Sequence, residues 1–84
     1  MNKGKDMLEK FIKIVEEVLK TKIEWENEKN IKLDKLDIHS IEFIEIIVDT
    51  EIEFDIRFPD CYLLASYFED LESIYKVLVE LINN

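Results

Sequence analysis

Residues 36–55, LDIHSIEFIEIIVDTEIEFD, contain no Gly or Pro, and from Ser40 onward their apolar positions recur at steps of three and four. That spacing predicts a helix over residues 40 to about 54, with Ser40, a favoured N-cap, at its head. At about 100° per residue, Phe43, Ile46, Ile47 and Phe54 project to one side, with Thr50 in the same sector. They suffice for a core. Ile41, Ile44, Val48 and Ile52 form another stripe turned well away, with Glu45 and Asp49 beside it and Glu51 on its other edge. The second stripe either packs under a loop or stays exposed, as a surface for partners offering a hydrophobic dent ringed by Arg or Lys.

Working outward, Leu8, Phe11, Ile12, Val15, Val18 and Leu19 alternate with Glu9, Lys13, Glu16, Glu17 and Lys20. This is the pattern of an amphipathic helix over residues 5–20. Residues 21–39 lose the period. Trp25, Ile31, Leu33, Leu36 and Ile38 stand there among charges, which predicts a long ordered loop pinned by apolar anchors, and a connection of that length points to function. DIRFPD, residues 55–60, then ends the second main helix, because Pro59 cannot continue a helix but fits the first turn of the next. A short helix is predicted over residues 60–67. The last covers residues 71–82 behind Asp70 as N-cap, with Leu71, Ile74, Tyr75, Leu78, Leu81 and Ile82 inward. The expected architecture is an all-α four-helix bundle: three main helices, one short helix and a long loop between the first two main ones.

The 84-residue chain is expected to form one domain over residues 1–84, since a chain this short buries only about 60–65% of its unfolded surface. Its charge is −9, unevenly spread: residues 1–35 carry nine Lys and eight acids, whereas residues 36–84 carry two basic and twelve acidic residues. Such a surface repels phosphate backbones and anionic lipid, so no nucleic acid and no membrane are expected, and a basic protein patch is the natural partner. No apolar run reaches about 18 residues, and MNKGKDMLEK turns acidic too early for a signal peptide, so a cytoplasmic location is expected. The single Cys61 forms no intrachain disulfide, in keeping with a reducing compartment.

Catalytic motifs are missing: there is no G-x-G-x-x-G, P-loop, G-x-S-x-G or C-x-x-C, and one histidine supplies no histidine metal cluster. His39 and Ser40 are adjacent, and neighbouring side chains at a helix start diverge, which makes a poor nucleophile–base pair. The carboxylates lie on helices rather than in a calcium loop, and read as a solvated acidic face. Cys61 reads as a partly buried structural residue. The aromatic residues lack interleaved Arg or Lys and form no nucleic-acid stacking platform. No catalytic residue and no metal site are expected.

Leu36-Asp37-Ile38-His39-Ser40-Ile41 resembles the attachment motif of acyl carrier and peptidyl carrier proteins, L-G-x-D-S-[LIM] or L-G-G-[HD]-S-[LI]. Further on, the stretch from Glu51 to Asp60, EIEFDIRFPD, is similar to the family's E-E-F-x-x-x-[IF]-P-[DE], with the spacing from Ser40 to Pro59 preserved. The resemblance extends over nearly the whole chain and is strongest across residues 33–60. It implies a monomeric carrier in which a phosphopantetheinyl transferase attaches 4′-phosphopantetheine from coenzyme A to Ser40. The arm would hold acyl or aminoacyl intermediates as thioesters, and loading ligases and synthase enzymes would supply the catalysis. His39, Ile41, Glu42, Ile44, Glu45, Val48, Asp49 and Glu51 would then face partners. Two positions depart from the pattern: Asp37 replaces the usual glycine, and His39 is normal for peptidyl carriers but unusual for fatty-acid carriers. The competing expectation is an unmodified, carrier-shaped adaptor that binds a partner through the same helix, and a third is an acidic regulator without family kinship.

Overall fold

The computed structural model describes residues 3–62 and 67–83. Among them all regular structure is helical, with three main helices, α1 (Lys3–Leu19), α3 (Ser40–Phe54) and α4 (Leu71–Asn83), and one single-turn helix, α2 (Trp25–Glu28). Two 3-10 turns, Leu33–Leu36 and Asp60–Tyr62, complete the described elements. The short helix therefore falls inside the long connection, which is not structureless. Of the short helix expected over residues 60–67, residues 60–62 form the second 3-10 turn and residues 63–66 lie outside the described residues.

The core follows the expected faces. Phe11 and Val15 of α1, Phe43, Ile46 and Ile47 of α3, and Leu71, Ile74 and Leu78 of α4 are buried together with Ile23, Leu33, Ile38, Phe58 and Phe68. Ile14, outside the expected stripe of α1, is buried as well. Each such side chain contributes about 1.5–3 kcal/mol by leaving water. Phe54 is half-buried against this cluster, and Thr50 satisfies its buried hydroxyl by donating to the Ile46 carbonyl at 2.7 Å.

The long connection is held from both sides. Trp25 packs edge-on against Phe11 and Tyr75, with ring centroids 6.1 and 5.9 Å apart, so α2 is wedged between α1 and α4. Burial raises the Tyr75 phenol pKa above its ordinary value. At the head of α4, the Asn30 side-chain amide donates to Asp70 Oδ2 and Glu72 Oε1, at 3.2 and 2.9 Å, the Glu72 amide donates to the Lys29 carbonyl, and the Leu33 amide to the Glu69 carbonyl. Leu33 and Ile38 are buried and Trp25 and Leu36 half-buried, as anchors should be, but Ile31 is exposed. Asp70 caps α4 as expected, its carboxylate accepting the Ser73 amide at 2.9 Å.

Candidate functional site

The site grows from the turn before α3. Asp37 adopts φ 61°, ψ 29°, the left-handed conformation that favours glycine, and Asp is among the residues that tolerate it. Its amide donates to the Asp34 carbonyl and that of Ile38 to Leu33, which folds the chain back and buries Ile38. His39 follows in extended backbone and is the N-cap of α3. The His39 amide donates to Glu42 Oε1 at 3.0 Å, the return reach of a capping box, and its ring Nε2 lies 3.9 Å from Asp37 Oδ1.

Ser40 is thus not the cap. It is the first helical residue, exposed, and its hydroxyl makes no hydrogen bond with any described residue. Beside it opens a shallow cleft of about 370 Å³, floored by Leu33, Ile38 and Phe68 and edged by Lys32 and Glu69. Sequence order gave no sign that Phe68 and Glu69, some thirty residues away, stand next to Ser40.

Down α3 from Ser40 runs the second apolar stripe. Ile41 is 71% exposed, Ile44 42%, Val48 43% and Ile52 74%, whereas Phe43, Ile46, Ile47 and Thr50 on the opposite side are buried. Loop cover of this stripe is ruled out by those exposures. Glu45 and Asp49 are exposed along one edge and form no hydrogen bond or ion pair with a described residue. Glu42 and Glu51 differ from them. Both are half-buried, and each carboxylate is engaged within the chain, Glu42 with the His39 amide and Glu51 with the Phe58 amide at 2.7 Å.

Cys61, expected to be partly buried, is exposed. No group of His, Cys, Asp and Glu suited to a metal ion occurs among the described residues. Next to Phe68 of the cleft, Tyr67 meets both Tyr62 and Phe68 edge-on while Tyr62 lies tilted against Phe68, and a hydrogen bond with Tyr67 is the chief cause that pushes the Tyr62 phenol above its ordinary value. No helix among the described residues is long and apolar enough to cross a membrane. Compared with protein-family models, curated proteins and solved structures, the chain matches none of them.

Proposed function

We propose that this chain is a carrier protein: Ser40 accepts 4′-phosphopantetheine, and the exposed face of α3 presents the loaded arm to partner enzymes. The observation that carries the reading is a serine hydroxyl, without a hydrogen bond to any described residue, at the first residue of a helix and directly above an exposed apolar stripe edged by carboxylates that pair with no described residue. The residues around Ser40 fit the group. The hydroxyl is open to solvent, the positive end of α3 suits the phosphodiester that would form there, and the adjoining cleft leaves room for an arm.

In the transfer, Ser40 Oγ attacks the phosphorus of coenzyme A that bears pantetheine. A new O–P bond forms, the bond to the adenosine 3′,5′-bisphosphate leaving group breaks, and the serine proton passes to a base on the transferase. The terminal thiol of the attached arm supplies thioester chemistry when loaded. The chain's own residues hold Ser40 in place: buried Ile38 and left-handed Asp37 fix the entry to α3, and Glu42 ties down His39. Transferase, loading ligases and synthases are the partners, and their basic patches would meet the acidic face.

Incubation with coenzyme A and a broad-specificity phosphopantetheinyl transferase should raise the intact mass by one phosphopantetheine, and Ser40→Ala should abolish the rise. An unchanged mass in the unmutated chain would instead favour the adaptor, in which the same stripe binds a partner without any modification.

A further inference from the structure

The carboxylates of α3 are not equivalent, and we infer that docking on this face is one-sided. Glu45 and Asp49 carry its charge, opposite a partner enzyme that offers an apolar groove with Lys or Arg along that single edge. The inference rests on the proposed carrier role and specifies the surface of the enzyme that meets it.

Five carboxylates could contribute beyond the core side of α3, and three are committed elsewhere. Glu42 is bonded to the His39 amide and Glu51 to the Phe58 amide. Glu51 is half-buried and holds the Phe58 amide through Oε2, so a partner cation reaches it less openly than an exposed acid. Glu53 is also engaged, 3.8 Å from Lys10 Nζ. Glu45 and Asp49 are exposed without a partner among the described residues, one helical turn apart, so their side chains are neighbours about 5–6 Å apart at Cβ. They border the same edge of the Ile41–Ile44–Val48–Ile52 stripe.

The complementary surface follows. The stripe spans eleven residue steps, roughly 16 Å at the rise of an α-helix. A matching groove has that length, with two cations spaced about one helical turn along one wall. Its reacting centre lies beyond the Ile41 end, where Ser40 stands.

Docking can be read apart from modification by measuring how the Ser40→Ala chain binds a broad-specificity phosphopantetheinyl transferase. Gln removes the charge of each acid and keeps an acceptor oxygen, so the internal bonds of Glu42 and Glu51 survive substitution. In the Ser40→Ala background, Glu45→Gln and Asp49→Gln should each weaken binding about three- to tenfold at about 0.1 M salt, with the loss shrinking at about 0.5 M. Glu42→Gln and Glu51→Gln should leave it within about twofold. Equal losses from all four, with unchanged helical circular dichroism, would overturn the one-sided surface, as would no binding by the Ser40→Ala chain. Equal losses alongside a mass rise in the unmutated chain would remove this inference and keep the carrier reading. One-sided losses without any mass rise would keep the surface and remove the carrier.

Discussion

At Ser40, the difference between capping a helix and opening one decides what the hydroxyl is free to do. A capping serine would be tied to the first-turn amides, and its loss would cost about 1 kcal/mol. Here His39 occupies the cap and Ser40 lies one residue inside, without a hydrogen bond to a described residue. Ser40→Ala should therefore change the unfolding free energy in urea by no more than about 0.3 kcal/mol, whereas Glu42→Ala, which frees the His39 amide, should cost about 0.5–1 kcal/mol. A Ser40→Ala loss near 1 kcal/mol would return the cap to the serine. The sequence carried a signal for the correct register: in a capping box the acid stands three residues after the cap, and Glu42 is three after His39, while Phe43 is three after Ser40. Residue type points the other way, since serine is a favoured cap. Asp37 was easier to read, because a missing glycine in a tight turn leaves few side chains able to take a positive φ.

At the scale of the element, α3 has to satisfy two surfaces at once. Ile47 is buried among Phe43, Ile46 and their neighbours, while Val48, the next residue, is nearly half exposed. Ile47→Ala should cost about 2–4 kcal/mol through lost burial and the cavity it leaves, and Val48→Ala less than about 1 kcal/mol, both read from urea denaturation. A Val48→Ala loss as large as that of Ile47→Ala would place the stripe in a core. This two-sidedness was legible, because a fixed rotation per residue assigns each apolar position to a face whatever the neighbours are. The status of the acids was not. Glu51 and Asp49 look alike in a helical projection, and only the return of the chain at Phe58 gives one of them an internal amide to hold. The same limit applies in the long connection, where Trp25 and Ile31 both looked like anchors and only Trp25 met rings from α1 and α4.

Across the whole molecule, contacts between distant segments were the part that periodicity could not supply. Asn30 reaches Asp70 and Glu72 forty and forty-two residues away, so local pattern held no trace of the clamp that closes the connection onto α4. Net charge, by contrast, follows from composition alone, and it sets how the fold responds to salt. Among the described residues the lysine–carboxylate pairs are Lys10–Glu53, Lys29–Glu26, Lys29–Glu72 and Lys76–Glu72, at 3.4–4.0 Å, each but Lys29–Glu72 with at least one well-exposed partner, and such surface pairs are worth about 0–1 kcal/mol each. Against them stands a charge of −9 whose excess lies wholly in residues 36–84, including Glu45 and Asp49 of α3, which pair with no described residue. Salt weakens the pairs and the repulsion together, and with acids in such surplus the repulsion has more to lose. Raising sodium chloride from about 0.02 to 0.5 M should therefore raise Tm by about 4 °C or more, equivalent to about 1 kcal/mol for a domain of this size. Thermal unfolding followed by circular dichroism reads this directly. A Tm that falls with salt would mean that the few ion pairs, with the Lys29–Glu72 contact at the clamp foremost, outweigh the repulsion, and that the acidic face costs the fold nothing.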